Sequence, residues 1–240
     1  MDMKSNIQNY WNTINMPWGR LFYKLVWNHL DYKDKNILDF GSGFGITADF
    51  LAGNNNVTAI EHNKDMLSYR VCNNNYKQVI GSVEELKKLP DNCFDVVICH
   101  NVLEYIEDRH EVFAEFHRLL KNNGELSIVK HNKPGKVMQK AVFENNISTA
   151  IELLNNKDAV SANFGIIKEY SDNDLDNYIK NKFITRNKYG VRIFFALQKN
   201  EFKEEADWLK NMFEIETMAE QIPVFRDIAF FHHIILERLV

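Results

Sequence analysis

The segment Ile37-Leu38-Asp39-Phe40-Gly41-Ser42-Gly43-Phe44-Gly45 limits what this chain can fold into more than any other. An apolar run ends in a carboxylate and opens into three glycines spaced two apart, which reads as a buried parallel strand, a turn bare of side chains and a helix start. Such a corner makes a nucleotide-type cofactor pocket at the carboxyl end of the strand. The dinucleotide fingerprint needs its last glycine one residue later, and Ile46 stands there, so NAD and FAD are disfavoured. Gly41 and Gly43 are expected to clear the ligand's path of side chains, and Gly45 to admit the next helix against the strand.

The first 130 residues alternate short apolar runs with longer polar-faced segments, the pattern of strands and helices around a parallel sheet. Strands are expected at 36–40, 57–61, 78–80, 94–99 and 125–130. Phe94-Asp95-Val96-Val97-Ile98-Cys99 lacks alternation, as a strand covered on both faces should. Helices are expected over 46–52, 64–73, 82–88 and 109–121, the last capped by Asp108 and followed by Gly124. Pro17 should open a helix over 18–30, leaving 7–16 as a flexible aromatic arm with Tyr10 and Trp11. Past residue 130 the alternation stops: Pro134-Gly135 should break the chain, 136–168 should form two packed helices, and Ser171 should cap a helix to about Lys180. The runs 183–195 and 228–236 are β-rich and should pair around a helix at 201–213.

The 240 residues suit one α/β domain with an added subdomain. The N-terminus lacks the form of a signal peptide and no apolar run approaches membrane-spanning length, so a cytoplasmic protein with no membrane partner is expected. Cys72, Cys93 and Cys99 have no metal-ligand spacing and read as reduced packing residues, with no metal expected. The formal net charge of −4 hides an asymmetry: residues 131–200 carry 11 basic and 7 acidic side chains, and residues 201–240 carry 4 and 9. An anionic partner would meet the middle segment; a solvated lysine-rich face is the plainer alternative.

Glu61 ends the second apolar run, about 20 residues past the first glycine, where a carboxylate can accept hydrogen bonds from two ribose hydroxyls. Alone it would be a surface acid after a strand; beside the glycine loop it favours an adenosine-type ligand. With Gly81-Ser82-Val83-Glu84-Glu85-Leu86, Leu89-Pro90-Asp91-Asn92-Cys93-Phe94-Asp95-Val96-Val97, His100-Asn101-Val102-Leu103-Glu104-Tyr105-Ile106 and Leu119-Leu120-Lys121-Asn122-Asn123-Gly124, residues 37–130 resemble the class I S-adenosylmethionine-dependent methyltransferases.

That resemblance implies an α/β fold with a Rossmann-like seven-stranded, mostly parallel sheet and a helical insertion, organised as one domain: an N-terminal helical arm (1–35), a cofactor-binding core (36–131), an insertion or lid (132–182), and C-terminal strands and helix (183–240). It implies that Asp39, Gly41, Gly43 and Gly45 line the methionine part of S-adenosylmethionine, that Glu61 and the adjoining His62 hold the ribose side, that Met66 packs on the adenine, and that Ser82 and Val83 meet the adenine edge. His100 would sit beside the sulfonium, as a base or as a wall of the cofactor site; Glu104 is more a loop anchor than a catalyst. Ser82 stands where many relatives have Asp, which moves the adenine amino contact to the backbone. The product would be S-adenosylhomocysteine.

A weaker resemblance, over most of the chain, is to the bacterial tRNA uridine-5-oxyacetate carboxyl methyltransferases, through His100-Asn101-Val102-Leu103-Glu104, Asn132 with Gly135, and Gly190-Val191-Arg192. It implies a carboxylate acceptor on a modified tRNA wobble uridine, needing orientation and a dry site but no general base. Arg192 would clamp the carboxylate in a bidentate fork, unless it is simply a surface arginine on a strand. Asn132 and Lys133 would adjoin the substrate, and Lys133, Lys136 and Lys140 would meet phosphates. Phe22 stands where that family places an arginine for the cofactor carboxylate; Arg20 is the substitute within reach in sequence. A small-molecule O-, N- or C-methyltransferase is the alternative, and a cofactor-binding module without transfer is the third reading. No obligate protein partner is evident.

Overall fold

The computed structural model describes residues 3–155, 159–161 and 165–240, with side chains for 6–155 and 168–240. In chain order its elements are α1 (Met3–Asn15), α2 (Pro17–Trp27), β1 (Asn36–Phe40), α3 (Ile46–Ala52), β2 (Asn56–Glu61), α4 (Lys64–Leu67), β3 (Lys77–Ile80), α5 (Val83–Leu86), β4 (Phe94–His100), α6 (Arg109–Leu119), β5 (Leu120–His131), α7 (Lys133–Met138), α8 (Ile147–Leu154), β6 (Ala159–Ser161), β7 (Gly165–Ile167), α9 (Asp172–Ile179), β8 (Phe183–Val191), α10 (Trp208–Ala219), α11 (Pro223–Arg226) and β9 (Phe231–Arg238). Seven strands form one sheet in the order β3-β2-β1-β4-β5-β9-β8, and β1 through β5 pair in parallel. This is the expected Rossmann-like α/β sheet. β6 and β7 form a separate antiparallel pair.

The chain divides into two compact units. One comprises Asp31–Val129, Asp172–Asn187 and Ile234–Val240. β1 and β4 are buried along almost their whole length because helices cover both faces, which is why neither sequence alternates. Several helices are shorter than their apolar spacing suggests. α4 is a single turn held by its cap, where the Asn63 side chain accepts from the amides of Asp65 and Met66. α6 begins at the expected cap, with Asp108 accepting from the Glu111 amide, but ends at Leu119 because Leu120 turns extended and enters β5. Gly124 therefore lies inside a strand rather than behind a helix. Cys99 is buried as expected, but Cys72 is exposed and hydrogen-bonded to Arg70 rather than packed.

The other unit comprises residues 1–30, 130–171 and 188–233. The segment expected to be a flexible arm is helical to Asn15: Ile7 and Ile14, two turns apart on one face, are buried, and Tyr10 hydrogen-bonds Tyr23 of α2. Pro134-Gly135 does not break the chain but lies in the first turn of α7, where proline lacks only an amide that has no helical partner. Gly135 packs its backbone on Ala229, and a Cβ there would overlap the Ala229 carbonyl. The helices expected over 136–168 are α7 and α8, joined by a π-turn at Gln139–Phe143. α8 buries Ala150 and Leu153 but leaves Ile147, Ile151 and Leu154 exposed. The last part of that span holds the β6–β7 pair rather than helix, and residues 156–158 and 162–164 lie outside the described residues. No helix among the described residues is long and apolar enough to cross a membrane.

Candidate active site

Parallel pairing brings the carboxyl ends of the central strands into line: Asp39 is level with Ile98, Phe40 with Ile60, Glu61 with Ile80, and His100 with Val129. The loop after β1 rises from this edge. The amides of Gly41 and Ser42 both donate to the Ile60 carbonyl, at 2.9 and 3.0 Å, and the Gly45 amide closes a turn on Ser42. Gly41, Gly43 and Gly45 all have left-handed backbones, at φ 76, 57 and 72°. The reason for glycine differs from the one the sequence suggests. A Cβ on Gly41 would overlap Val102, one on Gly45 would overlap the Tyr76 hydroxyl, and one on Gly43 would lie 3.0 Å from the Met66 methyl. The side-chain positions are filled by protein, so the loop can offer a ligand only its backbone.

Two buried carboxylates stand beneath this loop. Glu61 Oε2 accepts from the Gly43 amide at 2.8 Å and Oε1 from the Asn63 amide at 2.7 Å, with His62 Nδ1 at 3.2 Å from Oε1. Glu61 thus ties the glycine loop to the turn after β2 and keeps lone pairs to accept further bonds. His62 itself is exposed. The Asp39 carboxyl is pushed up to about 7, first by burial and then by the Glu61 charge, against one backbone hydrogen bond from Ala48. Its Oδ2 is buried without a hydrogen-bond partner.

Met66 is buried on α4. Ser82 precedes α5, and its amide is turned back onto Glu84 Oε1 at 3.0 Å, beside the half-buried Val83. His100 ends β4 with Nε2 2.8 Å from Ser127 Oγ on β5. Asn101 follows in a left-handed conformation, its amide on the Val129 carbonyl and its buried Oδ1 without a partner. Glu104 is buried in the 3-10 turn Leu103–Tyr105. The structure therefore joins Asp39, the glycines, Glu61 and Met66 by direct contact or field, and adds Asn63, Val102, Tyr76 and Asn101, to which the sequence assigns no role in the site. Asn63 carries a signal as an N-cap residue placed before a helix start, and Asn101 and Val102 lie in the motif after the fourth strand, whereas Tyr76 carries none.

The remaining residues belong to the other unit. Arg20 is exposed on α2, and Phe22 packs on Tyr23 and Phe231. Asn132 is buried with both amide hydrogens committed, to the carbonyls of Asp227 at 3.0 Å and Ala229 at 2.8 Å, and Lys133 opens α7. Lys136 pairs with Glu169 at 2.6 Å and Lys140 with both oxygens of Glu144. Arg192 is no surface arginine. It follows β8, half-buried, with φ 65°, its guanidinium 4.6 Å from the centre of the Phe230 ring, its Nε buried without an acceptor, and its pKa lowered to about 10 by burial, with the Glu216 charge opposing. Glu216, on α10, accepts from the amides of Ile193, Phe194 and Phe195 at 2.7–3.2 Å.

Residues 38–128 match the family model described as a methyltransferase domain. That stretch, about two fifths of the chain, carries a class I methyltransferase domain. The cofactor of that class is S-adenosylmethionine. A ubiquinone biosynthesis O-methyltransferase of Rickettsia bellii is 35% identical over 121 residues, covering 47% of this chain and 49% of that protein. The chain spans about half the length of the curated relatives it matches. A putative S-adenosylmethionine-dependent methyltransferase from Listeria monocytogenes is similar in fold, with TM-score 0.57 at 12% identity over 91% of this chain and all of that one. A putative methyltransferase solved with the Haloferax volcanii Trm112 activator is equally similar, with TM-score 0.58 at 12% identity over 91% of this chain and 88% of that one. No cluster of three or more His, Cys, Asp or Glu side chains that could hold a metal ion occurs among the described residues.

Proposed function

We propose that this protein transfers the methyl group of S-adenosylmethionine to an oxygen of a small anionic acceptor, releasing S-adenosylhomocysteine. The observation that carries the reading is the glycine loop clamped by Glu61 at the aligned strand ends, above a buried Asp39 oxygen with no partner. The residues suit the cofactor: Asp39 offers an uncompensated anion to a cationic methionine end, Glu61 keeps acceptor capacity for ribose hydroxyls, Met66 offers a soft apolar surface to a purine, and Ser82 and Val83 flank the edge beyond it. When bound, the cofactor supplies an electrophilic methyl on sulfur. The chain's part is alignment and exclusion of water, with His100 held by Ser127 as a wall of that site.

In this reading the chain acts as a single methyltransferase domain in the cytoplasm, with residues 36–131 serving the cofactor and Arg192 and Lys133 serving the acceptor, while Asn132, its amide hydrogens spent on the Asp227 and Ala229 carbonyls, anchors the start of α7 instead. The relatives that are O-methyltransferases support an oxygen acceptor. The paired states of Lys136 and Lys140 and the aromatic setting of Arg192 favour a small acid over a tRNA. The test is calorimetry with S-adenosylmethionine and S-adenosylhomocysteine, followed by labelled methyl transfer to a panel of small acids and to bulk tRNA. Binding with transfer to small acids is expected. Failure to bind either cofactor form overturns the proposal, and transfer to tRNA alone overturns its acceptor.

A further inference from the structure

Two cations, a buried Lys203 and a half-buried Arg192, lie in the unit formed by residues 1–30, 130–171 and 188–233, in surroundings rich in aromatic rings and poor in anions. Lys203, in the 3-10 turn Asn200–Glu204, is 3% exposed. Its Nζ lies 5.4 Å from the ring centres of both Trp18 and Phe143 and donates to Asn200 Oδ1 at 3.0 Å. Of the three hydrogens on an ammonium, two remain. Arg192 lies close enough that its charge helps depress Lys203 to about 8, burial being the larger cause. Arg192 is itself flanked by Phe230 at 4.6 Å and Phe195 at 5.6 Å, with its Nε unsatisfied.

The charge that opposes Arg192 is Glu216, and that carboxylate is already engaged. The left-handed turn at Arg192 points the amides of Ile193, Phe194 and Phe195 at it, a backbone cradle filled by the protein's own side chain. Among the described residues neither cation makes an ion pair. Burying an unpaired charge costs several kcal/mol, and cation–π contact returns about 0.5–2 kcal/mol for each. Two positive charges against one engaged carboxylate leave room for one more anion. Flat apolar faces on several sides suit a ring, whereas a hydrated phosphate dianion would have to shed its water for few donors.

We propose that Arg192 and Lys203, walled by Trp18, Phe143 and Phe230, bind the carboxylate of a small aromatic acid. The guanidinium and the two remaining ammonium hydrogens share the carboxylate oxygens while the ring lies against the aromatic faces. Phe143 enters this arrangement from the π-turn at Gln139–Phe143, a distortion frequent at functional sites. Identifying the acid as the methyl acceptor rests on the methyltransferase reading; the anion site does not.

The experiment is calorimetric titration of the full chain with benzoate, benzamide, acetate and inorganic phosphate, with and without S-adenosylhomocysteine. Benzoate should bind at least tenfold more tightly than benzamide, which has the ring without the charge, and more tightly than acetate, which has the charge without the ring. Lys203→Met and Arg192→Gln should each weaken benzoate at least tenfold and leave S-adenosylhomocysteine binding intact. Equal affinity for benzoate and benzamide, displacement of benzoate by equimolar phosphate, or unchanged affinity in both variants overturns the inference. The benzoate and benzamide comparison needs no variant and decides the matter if a substitution unfolds the chain. Binding of S-adenosylhomocysteine without benzoate binding sinks the anion site alone; benzoate binding without binding of the cofactor product sinks the methyltransferase reading alone.

Discussion

Asp39 is the residue whose state is easiest to read by experiment. Its carboxyl rises from an ordinary value of 3.8 to about 7 on folding, so the fold takes up a proton in that window. With fewer protons bound by the unfolded chain there, this residue's contribution to stability declines as pH rises from about 4 to about 7. A cationic ligand reverses the preference, because it favours the ionised carboxylate. Affinity for S-adenosylmethionine should therefore climb with pH up to about 7 and level off above it, and Asp39→Asn should flatten the profile and weaken binding about tenfold or more at pH 8. A pH-independent affinity in the unaltered protein would exclude this role. The glycines give a second expectation at the same scale. Gly43→Ala meets only the end of a flexible methionine, so it should cost about 1–2 kcal/mol of backbone strain and still fold. Gly45→Ala adds a clash with Tyr76 and should be far more destabilising in urea melts. Equal midpoints would contradict the packing described.

Elements show how much was legible in advance. α3 falls on its expected residues, and β1, β2 and β4 within one of them, since buried parallel strands leave unbroken apolar runs and a helix opening on Gly45 has a fixed start. The cap of α6 was equally plain, and Asp108→Ala should lower stability by about 1 kcal/mol, read as a shift of the urea midpoint at constant slope. What failed depends on distant partners. Ile7 and Ile14 look like the residues of a loose arm until the tertiary contacts that bury them exist. Pro134-Gly135 is punctuation by composition, yet proline is harmless in a first turn and glycine here answers to the Ala229 carbonyl, 94 residues on. The strand ends and acids of the cofactor site were legible because they are close in sequence to the glycines. Lys203 was not, because its meaning comes from Trp18, Phe143 and Arg192, which no local pattern brings together.

At the scale of the molecule, each unit is assembled from three separate stretches of chain. Ligands bound to one unit should protect that unit first. Saturation with S-adenosylhomocysteine at a hundredfold excess over its dissociation constant should add about 2.7 kcal/mol, a rise of roughly 5–10 °C in melting temperature for a chain of this size. Hydrogen exchange should slow most within residues 31–129, and the proposal for the cofactor fails if protection gathers elsewhere. The discontinuity also bears on how the protein is made. α2 leaves the ribosome carrying Leu21, Leu25 and Val26, all buried in the finished fold, while Phe213, which faces Lys24, and Phe231, which packs on Phe22, are made about 200 residues later. At the usual pace of translation that is a wait of roughly 10–40 s with an apolar helix face uncovered. The nascent chain is thus a client for whatever shields greasy segments at the exit tunnel, and its yield in a cell should depend on that shelter.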